Sequence, residues 1–350
     1  MFFLNLQYVF KETKCLYPED KYLNKAKRLL IVLWCLPKLR RVSAWLRSAD
    51  TPLLKKELAL TPEIREFLYR PYVNRFWNLT QRLNVIENHY KLVNSKASFL
   101  NLEPDNFVDL AIFELAPGKL RIVLDRPHWV RREGEIGVSL FLGIDRIFTV
   151  MFLLLGTADN MVLIIGCVQG ADMGTESTIY KALTSALHGM RPRDFILHVT
   201  KIISEELACK EIHGISDAAH RSAQWYSRAF KHSIYDNMWS DHGGKKTPDG
   251  HFFKLAPLIV KRTDEDISAK KRALYRRRYQ FLDELHLLLR DVLASPPIKK
   301  HRKSLLQNDP GGNLQGSTYE IRTILKYASY QVAQALTPAI ECIEKIDCEH

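Results

Sequence analysis

The feature that most constrains this chain is a change of hydrophobic period near Leu102. Before it, from Asn24 to about Lys96, apolar residues recur at helical intervals, and Pro37, Pro52, Pro62 and Pro71 divide them into short helices. After it come five short runs rich in Val, Ile and Phe: Ala111–Leu115, Leu120–Leu124, Gly137–Leu142, Ile147–Leu155 and Met161–Val168. The turns between them, notably Pro117-Gly118, Gly134 and Ala158-Asp159-Asn160, are too short for the crossover that parallel neighbours need. The pattern predicts an antiparallel meander, with the nearly continuous apolar stretch Ile147–Val168 covered on both faces.

Helical spacing then returns. Ile179, Leu183, Ala186 and Leu187 form a stripe with Thr175 as N-cap and Gly189 as its end, and Pro192 opens a helix with Phe195, Ile196, Val199, Ile202 and Ile203 on one side. A strand over Glu211–Ser216, a helix from about Ala218 to Lys231, a strand over Phe252–Lys261 and a long helix over Leu274–Leu293 follow, the last ended by Pro296-Pro297. Ile298–Thr318 reads as a linker and Tyr319–Ala335 as a final helix. The expected fold class is α+β: a helical N-terminal region over residues 1–100, an α+β core with a largely antiparallel sheet over 101–295, and a linker with a C-terminal helix over 296–350. A meander followed by a glycine-bearing turn and a helix is also how acyl-coenzyme-A acetyltransferases present their cofactor loop, an analogy of fold alone.

A net charge of +12 calls for an anionic partner: nucleic acid, an acidic membrane face or a phosphorylated small molecule. Six cysteines lie far apart without the spacing of a disulfide framework, which indicates a reducing compartment. MFFLNLQYVF is followed at once by charges, unlike a secretory signal, and the longest apolar runs, Leu29–Leu36 and Ile147–Gly156, fall well short of the roughly 20 residues a membrane span needs. A cytoplasmic protein without a transmembrane segment is expected. In the first 60 residues twelve Lys or Arg face five acids, and Leu29, Leu30, Leu33 and Trp34 form an apolar face beside Lys38, Arg40, Arg41 and Arg47. Peripheral docking on a membrane surface and plain packing on the domain both account for such a face.

Three stretches could carry chemistry. The densest runs from His213 to Gly244. There Arg221, Trp225 and Arg228 share one side of the expected helix, and Tyr235, Asp236 and Trp239 lead to Gly243-Gly244 in an expected loop. His220, placed after a strand and a turn, is the candidate general base, with Asp217 to cap the helix or orient it. The second is the strand-to-helix junction Gln169, Gly170, Gly174 and Thr175, whose backbone N–H groups suit a phosphate, although its glycine spacing is neither a P-loop nor a dinucleotide fingerprint. The third is Lys270–Lys303, with eleven basic residues against three acids; Arg277 and Arg278 flank the apolar stripe and Arg276 points outward. No Cys-x-x-Cys pair, His-Glu-x-x-His helix, Gly-x-Ser-x-Gly elbow or familiar nucleic-acid module occurs, so no metal site is expected.

These stretches resemble the bacterial VirK/YbjX family. The likeness rests on Val168-Gln169-Gly170, on Lys181 with Leu187-His188-Gly189-Met190-Arg191-Pro192-Arg193, on His213-Gly214-Ile215-Ser216 and on His220-Arg221. It continues through Tyr235-Asp236-x-x-Trp239 with Gly243-Gly244 and through Arg276-Arg277-Arg278-Tyr279 with Leu282-Asp283, so that it covers roughly Leu29 to Leu293. Asp217, where asparagine is usual, Ser222, where a second basic residue is usual, and the segment beyond Ile298 depart from the pattern. The resemblance implies a virulence or envelope-stress factor of Gram-negative bacteria that contributes to resistance to cationic antimicrobial peptides, without an assigned reaction. Three functional readings stand. One is binding of an anionic lipid or phosphorylated partner at the cytoplasmic membrane face. Another is an acyltransferase-like enzyme using coenzyme A or an acyl carrier. The last is RNA binding.

Overall fold

The computed structural model describes residues 2–19, 21–48, 51–103, 106–170, 176–222, 234–256, 261–295 and 298–301. Its helical preamble consists of α1 (Phe2–Thr13), α2 (Tyr22–Cys35), α3 (Leu39–Ser48), α4 (Pro52–Leu60) and α5 (Leu79–Lys96). The prolines punctuate it as the sequence predicts. Pro52 stands in the first turn of α4 behind Thr51, whose hydroxyl accepts from Leu54 N–H at 3.3 Å, and Pro62 opens a 3-10 segment over Pro62–Leu68. Asn78 and Gln81 close a reciprocal capping box at the start of α5. Helix α1 lies within the helical N-terminal region expected over residues 1–100, ahead of the periodic stretch that begins at Asn24.

The meander is present with all five strands: β1 (Asn106–Leu115), β2 (Gly118–Asp125), β3 (Ile136–Leu142), β4 (Asp145–Thr157) and β5 (Asn160–Gly170), each antiparallel to the next. Helices α6 (Glu176–Ala186) and α7 (Pro192–Glu206) form the crossover to β6 (Glu211–Ile215), which pairs parallel with β5. Helix α8 (Ile234–Asp241) and the antiparallel strands β7 (Lys245–Lys246) and β8 (Phe252–Leu255) extend this edge, and α9 (Ala269–Ala294) follows. The short strand β9 (Lys300–His301) caps the far edge, giving the order β7-β8-β6-β5-β4-β3-β2-β1-β9. The fold is α+β with a mostly antiparallel sheet.

The sheet is covered on both faces, which explains why β4 and β5 are apolar almost throughout. Leu153 on β4, Ile164 on β5 and Ile215 on β6 pack with α2, α3, α4 and α5; Leu154, Leu163, Ile165 and Ile212 point the other way, toward α6, α7 and α9. A buried ionic network joins the helical layer to the sheet. Glu57 of α4 binds Arg126 at 2.5 Å and also Arg131, while Arg126 reaches Glu135 at 3.1 Å and the Tyr90 hydroxyl at 2.6 Å.

Three expectations change. The helix placed at Ala218 does not form through Ser222, where turns and a bridge between Asn74 and His220 stand instead; residues 223–233, with Trp225 and Arg228, lie outside the described residues. Tyr235–Trp239 belongs to helix α8, not a loop, because Asp217 caps it from a distance. The strand expected over Phe252–Lys261 ends at Leu255. The linker and final helix expected beyond Ile298 lie outside the described residues from 302 onward, as do Gly174 and Thr175.

Candidate functional site

Strands β5 and β6 run together only from Val162–Ile165 against Glu211–Gly214, and they part there while β5 continues along β4 to Gly170. Gly166 is the extra residue of a bulge, since Met151 faces Cys167 and Phe152 faces Ile165. A side chain at Gly166 would overlap the Glu133 carbonyl. The gap is therefore entered by backbone from the Pro127–Gly134 turn, and only glycine admits it.

Side chains occupy the space that β6 leaves. The Tyr235 hydroxyl meets the Val168 backbone, His220 lies toward the Gly166 carbonyl, and the two rings stack at 5.1 Å between centroids. Beneath them Glu133 pairs with Arg221, approaches His220 Nε2 at 3.8 Å and accepts from the Cys167 thiol. Glu133, Cys167, His220, Arg221 and Tyr235 are all buried.

The protonation states follow from burial and charge. Burial pushes the Glu133 carboxyl up, but Arg221 and His220 outweigh it and hold it below the usual range, so it is ionised at neutral pH. Burial pulls His220 down to about 4 against the attraction of Glu133, so its imidazole is neutral. His220 Nδ1 accepts from Ser222 N–H at 3.3 Å, which puts the ring proton on Nε2. Among the described residues no group meets Nε2 in full hydrogen-bond geometry. In this arrangement His220 offers a donor and keeps its lone pair inside. Burial, reinforced by Glu133, pushes the Cys167 thiol well above its ordinary value, so it is no thiolate.

The backbone beside the cluster is strained. Val73 has φ of 51°, a left-handed conformation disfavoured for a β-branched residue, and it is held by hydrogen bonds from its own N–H to Arg132 O at 2.7 Å and from Arg221 N–H to its carbonyl at 3.1 Å. The Tyr72–Arg75 segment thus locks the loop after β6 against the turn that carries Glu133.

The motif residues downstream have definite structural roles. The Asp217 carboxylate accepts from Tyr235 N–H and Asp236 N–H at 3.1 and 2.9 Å, and Asp236 returns a bond by accepting from Asp217 N–H at 2.8 Å. Asp236 also binds Lys246 at 2.8 Å. Trp239 is fully buried, donates to Ile215 O at 2.8 Å and lies flat on Gly214, where a Cβ would land on the indole. Gly243, at φ 73°, and Gly244, whose N–H returns to Trp239 O at 2.8 Å, end α8.

The other candidates lie apart from this cluster. Gln169 and Gly170 end β5, with Gly170 exposed between the rings of Phe148 and Tyr180. On α9, Arg276 is exposed and paired with Asp264 at 3.2 Å and Arg277 is exposed, while Arg278 donates to His188 O at 3.1 Å on the α6–α7 turn. Glu133, Cys167 and Asn74 were not singled out in the sequence, where nothing marks a lone glutamate or cysteine as the partner of a distant His-Arg pair. Among the described residues no group of three or more His, Cys, Asp or Glu side chains converges as a metal site would, and no helix is long and apolar enough to cross a membrane.

The fold and this locked cluster define a helix-covered, mostly antiparallel α+β protein. The chain belongs to the family described as protein of unknown function DUF535, whose profile matches residues 21–291. It is similar to the uncharacterized protein YbjX of Escherichia coli K12, at 26% identity over 246 residues, or 67% of this chain and 73% of that protein. Two uncharacterized proteins of Haemophilus influenzae are 33% and 28% identical over 126 and 148 residues, which span 42% and 48% of their own lengths and 36% and 42% of this chain. No solved structure matches.

Proposed function

We propose that this chain is a peripheral membrane factor of the VirK/YbjX type, which contributes to resistance against cationic antimicrobial peptides by binding anionic lipid at the cytoplasmic membrane face. One observation carries the reading: helix α2 turns Ile31, Val32 and Cys35 into the protein and leaves Leu29, Leu30, Leu33 and Trp34 with about half or more of their surface open. Leu23 and Tyr22 extend this stripe along the helix, and Phe2, Phe3 and Leu4 of α1 are exposed as well. A monomer in water gains nothing from such a stripe.

Charge selects the occupant. From Tyr22 to Arg47 the sequence has seven Lys or Arg and no Asp or Glu, and Lys25, Lys38, Arg40 and Arg47 are exposed. A second protein could match the apolar stripe, but seven basic residues without an acid in the same stretch of chain are complementary to an anionic headgroup layer. Each half-open apolar side chain and each nearby basic residue adds about 1 kcal/mol, which gives reversible binding that weakens with salt. An acyltransferase reading would need His220 to present a lone pair to a substrate, and its Nδ1 is already engaged by Ser222.

Flotation with phosphatidylglycerol and cardiolipin vesicles tests the proposal. The protein is expected to float with these at low salt, to be released at on the order of 0.5 M salt, and to ignore neutral vesicles. Leu30→Glu with Trp34→Glu, both at exposed positions, should abolish flotation without altering the fold. Indifference of the unaltered protein to anionic vesicles at low salt would end this reading.

A further inference from the structure

The α2 stripe is one part of a larger open surface. Helix α1 packs on both α2 and α3, and so ties together the two helices on either side of the Leu36–Lys38 corner. Asn5, in the first turn of α1, is buried and accepts from the Ser43 hydroxyl and from Arg47, each at 3.0 Å. One turn on, the Tyr8 hydroxyl donates to Leu46 O at 3.3 Å, and the Arg47 guanidinium lies over the Tyr8 ring at 4.4 Å. Glu12 binds Arg65 at 2.6 Å at the far end, and the Arg28 guanidinium of α2 lies over the Phe10 ring at 5.4 Å. Asn5 beside Ser43 and Tyr8 beside Leu46 advance together along α1 and α3, which sets the first turn of α1 toward the α2–α3 corner, where Leu33 and Trp34 end the α2 stripe.

What α1 and α3 leave open is graded. Phe3, 74% exposed, and Phe10 are seven residues apart and so share a side of α1, away from buried Asn5 and Val9. Leu4 and Lys11 form the next row, and both are exposed. Among the described side chains of α3 the exposed ones are Arg40, Ala44 and Arg47, spaced by four and three. The surface thus passes from the apolar stripe of α2, through two aromatic rings and a lysine on α1, to a basic row on α3. Glu12 is the one acid in these three helices, and Arg65 pairs with it. A second copy of the chain would set this positive surface against itself, whereas a bilayer boundary offers apolar chains and anionic phosphates within about 10 Å of each other.

We propose that α1 and α3 belong to the docking surface, so that the helical layer lies on an anionic bilayer as one preformed unit. It is tilted, with the α2 stripe and Phe3 among the acyl chains and the Arg40–Arg47 row among the phosphates. This rests on the reading that α2 docks on such a membrane, and it adds an orientation and a second inserting helix. Because Asn5, Tyr8 and Glu12 already seat α1, docking orders no new helix, unlike the binding of a segment that folds on its target.

Depth measurement on the full chain tests the orientation. In a Cys15→Ser, Cys342→Ser, Cys348→Ser background, where Cys35, Cys167 and Cys209 are buried, an NBD fluorophore is attached at Leu30→Cys, Phe3→Cys or Ala44→Cys. Phosphatidylglycerol vesicles carry a nitroxide either on the acyl chain or on the headgroup. The chain nitroxide is expected to quench positions 30 and 3 severalfold more than position 44, and the headgroup nitroxide to quench position 44 most. Far-UV circular dichroism should not change on adding vesicles, and Phe3→Ser should weaken partition about tenfold. Quenching at position 30 without quenching at position 3, equal depth at positions 30 and 44, or a gain of helicity would overturn this proposal and leave the docking of α2 standing. No quenching at any of the three positions would overturn both.

Discussion

At the scale of single residues, the His213–Gly244 stretch shows how a chemically suggestive cluster can serve architecture. Trp239 needs Gly214 beneath it, Tyr235 satisfies strand backbone at Val168, and Asp217 caps α8. The sequence marks these residues as special by type and spacing. It does not say whether an aromatic and a glycine serve a ligand or each other, since both uses need flat contact. Gly166 tests the architectural side. In Gly166→Ala the new methyl has only the Glu133 backbone carbonyl and Val73 to move against, and neither is the end of a flexible side chain. The expected cost is about 3 kcal/mol, read as a lower urea midpoint with an unchanged slope. A midpoint within error of the unaltered protein would mean that Glu133 is not seated in the bulge.

Among elements, strands and long helices are legible because each repeats its apolar residues at a fixed period: β2 to β5 fall within about two residues of their expected limits, β1 begins five residues before its expected start, and α7 begins at the Pro192 that announces it. What sequence could not show is which charges are internal. Glu57 of α4 and Lys56 beside it look alike in a basic helix, yet Glu57 is buried between Arg126 and Arg131 whereas Lys56 meets Glu103 at the surface. Burial between two guanidinium groups requires residues of the β2–β3 connection more than sixty positions away, and periodicity holds no record of them. The two positions should answer to mutation differently. Glu57→Ala leaves two buried guanidinium groups short of a counterion and is expected to cost about 3–5 kcal/mol, while Lys56→Ala should cost under about 1 kcal/mol. Equal effects in chemical denaturation would refute the view that α4 is fastened to the sheet by charge. The exposed α2 stripe belongs to the same scale. Its apolar face is legible in the sequence, but whether that face is covered depends on how α2 turns against α1.

For the whole molecule, the buried histidines couple the fold to pH. The folded chain holds His89 at about 3 and His198 and His220 at about 4, in each case chiefly through burial, whereas an unfolded histidine takes up its proton near 6.5. As pH falls below about 6.5 the unfolded chain binds protons that the folded chain refuses, so stability falls with pH, by up to about 1.4 kcal/mol per unit for each histidine until it protonates in the fold. Glu135 acts in the opposite sense: burial raises its carboxyl, so the folded state gains a proton there and offsets part of the loss. Glu57, held near 2 by Arg126 and Arg131 against burial, adds its own loss only below about 4.5. Urea unfolding at pH 7 and pH 5 should therefore differ by several kcal/mol. His89→Gln should flatten the slope by about one proton, because Leu154 N–H, which donates to His89 Nδ1 at 3.1 Å, can be met by the amide oxygen. A flat stability between pH 7 and pH 5 would mean that His89, His198 and His220 reach water in the folded state. The β5–β6 gap would then be hydrated instead of filled by Tyr235 and His220.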